Sequence, residues 1–362
     1  VNSIVLRVRG VTYSGWTSVN IKRSLDQMAG SFSFTAADRY LKDPSKWGIQ
    51  MGDECVVELN GDLLITGYIE EISTTYGKDN HSISFSGRDK LGDLLDCSYV
   101  KADGEKGWKQ VRMHWILDDL CSQFGIDVVV DTSAVVQANE EMDYAPDGGT
   151  PIANIINELC GVKAVLAVTY GDGKLLLTRA GDVDAHDSLE AGVNILSADM
   201  ISSNLDRYSL YIVKGQGTGT DTKKLPDFVQ PSGQLEDEDI DRYRPLIVLA
   251  DAEVTNQRCS DLAAWEARVR AGKSRAVEYT VQGFTQSNGD AWPLNALVMV
   301  NDPYLGVHGK MLINSVEFRF DDSSGSTTKL GVIHKGAYSL ISSPVKGMKL
   351  GFDPQTMRST PL

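Results

Sequence analysis

The chain has 362 residues, 42% hydrophobic and 23% charged, a composition that excludes wholesale disorder. Its length allows two or three domains and a core large enough to need neither disulfides nor metals. With 35 basic and 49 acidic residues, the formal net charge is −14, which excludes a protein that grips nucleic acid or anionic lipid over its whole surface. The five cysteines (Cys55, Cys97, Cys121, Cys160 and Cys259) are far apart and form no CxxC pair. They read as small buried hydrophobes made in a reducing cytoplasm. No apolar run approaches the roughly 18 residues of a membrane-spanning helix, and the strand-like start Val1-Asn-Ser-Ile-Val-Leu-Arg-Val-Arg9 lacks a signal-peptide core.

Residues 1–100 read as β structure. Ile4, Leu6 and Val8 alternate with polar or exposed positions, as does Ser31-Phe-Ser-Phe-Thr35. Glu54–Leu59, Asn60-Gly61 and Leu63–Ile69 form a hairpin pattern, and Ser82–Ser86 adds a further strand. From residue 101 the pattern changes. Met113, Leu117, Leu120, Cys121 and Phe124 have helical spacing within Lys106–Phe124, and Gly125 supplies a stop. Ile126–Val130 reads as a strand. Thr150 and Pro151 open a second helix that Gly161 is expected to end, followed by a hairpin around Gly171-Asp-Gly173. β structure resumes at Ile195, with a strand at Tyr208–Val213, a long loop at Gly215–Arg242 and a helix at Asn256–Ala271. Four strands follow within 276–334. Residues 342–362 carry prolines and glycines without periodicity and read as an extended arm. The expected division is 1–100, 101–192, 193–341 and 342–362. A faint repeat aligns Val56, Ile65 and Gly67 with Val298, Val307 and Gly309, which points to two related β units.

The motifs that would carry chemistry fail on inspection. Gly215-Gln-Gly-Thr-Gly219 has no helical stripe behind it, as a phosphate cradle requires. Asp182, Asp184 and Asp187 lack the glycine and glutamate of a calcium loop and read as a solvated turn. No HExxH, zinc spacing or GxSxG elbow occurs. The acidic run Glu236–Asp241 reads as a solvated loop or an electrostatic contact to a neighbouring subunit. The basic helix face with Arg258, Arg268, Arg270, Lys273 and Arg275 reads as one balanced by nearby acids. No catalytic, cofactor or metal residue is assigned.

Five stretches occur in a family's order: Gly87-Arg-Asp-Lys-Leu-Gly-Asp-Leu-Leu-Asp-Cys-Ser98; Arg207-Tyr-Ser-Leu-Tyr211 with Lys214-Gly-Gln216; Arg242-Tyr-Arg-Pro-Leu-Ile247; Ala264-Trp-Glu-Ala-Arg-Val-Arg270; and Ala291-Trp-Pro-Leu-Asn-Ala-Leu-Val298. Together they resemble the baseplate hub proteins of Mu-like contractile-tail phages and prophages, which are related to the N-terminal part of type VI secretion spike proteins. The resemblance implies an α+β, β-rich fold with two related small β-barrels per chain and an inserted α/β module, assembling as a trimeric ring. It implies a structural, non-enzymatic role in the virion baseplate, adapting a hexameric tail tube to a trimeric central spike, with DNA passing through rather than being bound. The arm would dock the spike. A spike-base component of a type VI or pyocin-like machine and, further off, a tail-associated peptidoglycan hydrolase are the rival readings. The resemblance also marks contact residues. Arg88 and Asp89 would anchor the chain leaving the first barrel, Arg242 and Arg244 would pair with acids within or between subunits, and Trp265 would pack its helix onto a barrel.

Overall fold

The computed structural model describes residues 4–37, 47–78, 81–100, 107–163, 165–181, 183–216, 231–253 and 255–338. The expected arm at 342–362 lies outside them, as do residues 217–230 of the expected long loop.

The N-terminal third supplies β1 (Ile4–Val8), β2 (Val11–Tyr13), β3 (Ser18–Ser24), β4 (Gln27–Ala37), β5 (Glu54–Leu59), β6 (Asp62–Tyr76) and β7 (His81–Asp89), then a short α1 (Gly92–Asp96). The alternation noted in the sequence is real burial alternation: Ile4, Leu6 and Val8 face the core, as do Phe32, Phe34 and Ala36. Asn60 and Gly61 both have positive φ, the backbone that a two-residue hairpin turn requires, and they set the pairing of Leu59 with Asp62.

The middle of the chain is a separate α/β layer. It contains β8 (Trp108–Arg112), α2 (Met113–Ser122), β9 (Val128–Val130), α3 (Val135–Ala138), β10 (Glu141–Tyr144), α4 (Ile152–Lys163), β11 (Leu166–Val168) and β12 (Leu175–Thr178). The helical spacing was correctly read from Met113 onward, where Met113, Ile116, Leu117, Leu120 and Cys121 are buried. The preceding Trp108–Arg112 is a strand paired with β10 rather than the start of that helix. Gly161 does not end α4, which runs to Lys163. Strands β9, β12 and β11 form a small sheet on which α2 and α4 close a core that also takes in Met28, Ala29, Leu91 and Leu94.

The chain then returns to β structure with β13 (Val183–Asp184), β14 (Leu189–Glu190), β15 (Ile195–Ser202), β16 (Leu210–Gln216), β17 (Ser232–Glu236) and β18 (Pro245–Glu253). It ends with α5 (Asn256–Lys273), β19 (Arg275–Gln282), β20 (Ala296–Asp302), β21 (Val307–Asp321), β22 (Gly325–Ile333) and a 3-10 turn at Lys335–Tyr338. The expected long loop therefore contains a strand, β17, which pairs antiparallel with β16 while β18 pairs parallel on its other side. Helix α5 covers this three-stranded sheet through Cys259, Ala263 and Ala267, a small core that includes Tyr211 and Val213.

The two outer β regions share one 14-stranded sheet, whose main path runs β15-β19-β22-β21-β3-β4-β7-β6-β5-β1-β2, with β20 also pairing β21. One continuous core underlies both. Among the described residues this sheet does not close into a barrel at either end. Its halves repeat one another, since β3-β4-β7-β6-β5 and β15-β19-β22-β21-β20 have the same strand order. The long strands β6 and β21 are each 15 residues, and each has a bulge, between Ile69 and Glu71 in one and between Ile313 and Ser315 in the other. The constant spacing used to align the repeat in the sequence is one to three residues out of register. By ladder position Val57 corresponds to Val300, Ile69 to Ile313 and Phe34 to Tyr279, whereas Val19 corresponds to Ala198, far off that spacing because β16–β18 and α5 are inserted between β15 and β19. The slip between β5 and β6 comes from their turn and a bulge: two residues join β5 to β6, whereas Pro303–Gly306 join β20 to β21, and the bulge at Val57/Glu58 offsets part of that difference.

Candidate functional site

The sequence-marked residues fall in two places. The first is the joint between the N-terminal β unit and the α/β layer. Arg88 and Asp89 end β7 and, being adjacent on a strand, point to opposite faces. Arg88 lies on the outer face, where its guanidinium donates to Glu70 at 2.8–3.0 Å and to Asp96 at 2.5–3.2 Å. Bonds to Asp96 and Glu70 raise its pKa, and the same contact lowers that of Asp96. The pairing clamps α1 against the long strand β6.

Asp89 points inward and is 1% exposed. It accepts hydrogen bonds from the Leu91 amide at 3.1 Å and from the Thr169 hydroxyl at 2.9 Å. Burial pushes its pKa up to about 6, against the pull of those two bonds and the nearby charge of Arg23. Arg23 is itself buried, which lowers its pKa, and it donates to the Tyr170 carbonyl at 3.3 Å. Thr169 also accepts from the Gly171 amide, and Thr66 donates to the Gly171 carbonyl at 2.7 Å. A Cβ on Gly171 would lie 2.4 Å from the Leu64 carbonyl oxygen, so only glycine lets the loop 169–171 lie against β6.

The second place is the layer of β16–β18 and α5. The end of the acidic run is no solvated loop here. Arg207, with 8% of its side chain exposed, binds Asp237 through Nε at 2.7 Å and Nη2 at 2.9 Å, and Asp239 at 2.5 Å. Burial pulls its pKa down, but the bonds to Asp237 and Asp239 outweigh it and the net shift is upward. Arg244 was expected to meet acids. In the folded chain its guanidinium donates instead to the carbonyls of Asn204 and Leu205, at 2.9 and 2.8 Å, and stacks over Tyr208 at 5.2 Å. Arg242 is exposed and makes no ion pair among the described residues. Trp265 is half-buried on α5, whose seat on the sheet is made by the smaller Cys259, Ala263 and Ala267. The structure therefore keeps the Arg88–Asp89 pair and the Arg242–Arg244 pair in separate layers.

Sequence reasoning missed Arg23, Thr169 and Gly171. Arg23 showed only as a charged residue on the apolar-alternating strand β3, and Gly171 was read as a turn residue without its contact to β6. Two residues of the basic face of α5 meet acids: Arg270 binds Glu266 at 2.9 Å and Lys273 binds Asp26 at 2.7 Å. Asp184 pairs with Lys310, and Asp187 accepts from Ser287 and contacts His186. Among the described residues no group of three His, Cys, Asp or Glu side chains is placed to hold a metal ion. The cysteines are free, and burial pushes the thiols of Cys55, Cys121 and Cys160 up to about 12. No helix among the described residues is long and apolar enough to cross a membrane. The arrangement offers joints and edges, which is the chemistry of assembly.

The fold is that of a phage tail protein. It matches the 43 kDa tail protein of prophage MuSo2 from Shewanella oneidensis with a TM-score of 0.81 and 31% identity, over 94% of this chain and all of that one. Residues 3–89 match the N-terminal domain of the Mu phage baseplate assembly protein GpP-like family. Residues 91–179 match the second domain of the gp44-like baseplate hub family, and residues 255–340 the fourth domain of GpP. The baseplate hub protein gp44 of Escherichia phage Mu is 29% identical over 97% of this chain and 93% of its own length. The chain belongs to the Mu-like baseplate hub proteins and is a structural component of a phage tail baseplate. The Escherichia coli c3393 protein, a component of the type VI secretion system, shares the fold at 9% identity and a TM-score of 0.52, over 91% of this chain and 76% of that one.

Proposed function

We propose that three copies of this chain form a ring of six related β units that adapts a hexameric tail tube to a trimeric central spike. The observation that supports this reading is the internal repeat of five strands in one order, because three copies of a twofold repeat present six similar faces on one side and three dissimilar ones on the other. In the ring each half of the sheet would complete a small barrel, with residues 101–192 as an outer module and 342–362 as the arm that docks the spike. The hub is made in the host cytoplasm, joins the virion tail and catalyses nothing. The names of its relatives support that reading. A net charge of −14 suits a ring through which DNA passes without sticking. Arg242, exposed and without an ion pair among the described residues, is the marked residue best placed to meet a neighbour.

Light scattering after size exclusion tests the ring: three chains of 39.5 kDa give about 118 kDa. A monomer at every concentration, with and without the spike protein, would defeat it. A lysis band on a cell-wall zymogram would favour the hydrolase reading instead.

A further inference from the structure

The repeat leaves two strand edges unmatched. Strand β21 has β22 along one edge, while its other edge is shared: β20 covers Val307–Leu312 and β3 covers Ser315–Asp321, beyond the bulge. Strand β6 is its counterpart. It has β7 along one edge and β5 on Asp62–Tyr68 of the other, but nothing among the described residues covers Glu71–Tyr76. The counterpart of β3 is β15, and among the described residues β15 pairs with β19 and, apart from a single bridge between Ile195 and Ala191, with no other segment. Each half thus holds one member of a ladder that the chain itself makes only once, between β3 and β21.

Exposure follows the same division. In the ladder that exists, Val19 and Ile21 of β3 and Val316 and Phe318 of β21 are buried. In the unmatched edges Tyr76, the counterpart of Phe320, is 80% exposed, and Ala198 and Met200, the counterparts of Val19 and Ile21, are only half-buried. Large side chains and bare backbone amides on an open edge are costly and sticky unless covered.

We infer that Glu71–Tyr76 of one chain pairs antiparallel with β15 (Ile195–Ser202) of the next copy, repeating between chains the ladder that β21 and β3 form within one. The occupant is a second copy because the chain already displays the partner in its own other half. Carrying the β21–β3 register over, Ser315 opposite Ser24 becomes Glu71 opposite Ser203, and Phe318 opposite Ile21 becomes Thr74 opposite Met200. Thr75 then faces Asp199, and Tyr76 faces Ala198. On the core side Tyr76 would cover Ala198 and Met200, which are half-buried now. No like charges stand directly opposite in this register, and it sets Tyr76 on the same face as Ala198 and Met200. The two edges belong to different parts of one sheet, so the contact is head-to-tail, the kind that forms a ring where the rotation closes. The inference rests on the ring proposed above and assigns its contact.

Two double variants test it, Thr74→Cys with Met200→Cys and Thr75→Cys with Asp199→Cys. Facing pairs in an antiparallel ladder alternate between about 4.5 and 5.5 Å, so both lie within disulfide reach. The control is Thr75→Cys with Ser202→Cys, about 10 Å apart in this register. All are made with Cys97→Ser, oxidised mildly and run on non-reducing denaturing gels beside light scattering. The expected result is covalent dimers and closed trimers from both facing pairs and few from the control. A trimer by mass whose facing pairs link no better than the control overturns the ladder and leaves the ring standing. A monomer without links overturns both, and a link within one chain overturns the ladder. If a variant fails to fold, hydrogen exchange on the unaltered chain decides. Amides of 71–76 and 197–202 should lose protection on dilution to monomer while those of β3 keep it. Protection that survives in the monomer would mean the chain covers its own edges, contrary to the inference.

Discussion

Asp89 shows how one buried carboxylate can tie two layers together and set a pH dependence. An ordinary Asp titrates at 3.8, whereas burial holds Asp89 at about 6, so the folded chain takes up this proton before the unfolded chain does. Stability from this group therefore rises as pH falls from 6 towards 4 and is lost as pH rises through 6, by up to about 3 kcal/mol. Other acids work in the opposite direction, since the pKa values of Asp96, Asp131 and Asp187 are lowered. The difference between the chain and Asp89→Asn isolates the effect: urea midpoints measured from pH 4 to 7 should show that slope only in the unaltered chain. Gly171→Ala should cost more than about 2 kcal/mol, read as a lower melting temperature, because positive φ and the Leu64 carbonyl both oppose a side chain. Asp89 was legible in the sequence as a marked residue. Its partners Arg23 and Thr169 were not, because they come from a strand and a loop 66 and 80 positions away along the chain and only folding brings them together.

The layer of β16–β18 and α5 depends on few apolar side chains, so its polar joint matters more. Arg207→Ala would leave Asp237 buried without its cation, at a cost of about 3–5 kcal/mol. Arg207→Lys should rescue little, since Lys cannot reproduce the two-point contact with Asp237. Hydrogen exchange should show β16–β18 opening in both variants while β3, β4 and β7 stay protected. Gly233 is the second close approach: a Cβ there would lie 2.2 Å from the Ser260 amide, so Gly233→Ala should lift α5 and expose Cys259 to a thiol reagent. Helix α5 itself was readable from spacing and composition within about two residues. Strand β17 was not, because Ser232–Glu236 is polar, and it is a strand only because β16 offers it an edge.

At the level of the whole molecule, the acidic surface predicts weak, non-specific DNA contact at most. Fluorescence anisotropy with a labelled duplex should show no saturable binding at about 0.15 M salt. Tight binding would contradict a ring that lets DNA pass. The single shared sheet also predicts that the two β units unfold together, in one transition by both tryptophan fluorescence and far-UV circular dichroism, with the β16–β18 layer the first to separate in Arg207→Ala.

By itself the sequence determined the β-rich, acidic character of the chain, the hairpin at Asn60-Gly61, the helices at α2, α4 and α5, and the order of motifs that marks its family. Those signals are local: alternation, helical spacing and turn residues act over a few positions. Tertiary structure alone decided that the two β units are joined through β3 and β21, that the repeat shifts register at its turns, and that Arg23, Asp89 and Thr169 meet. These depend on pairings between distant strands, where hydrogen bonds and burial favour a register that neither strand specifies alone.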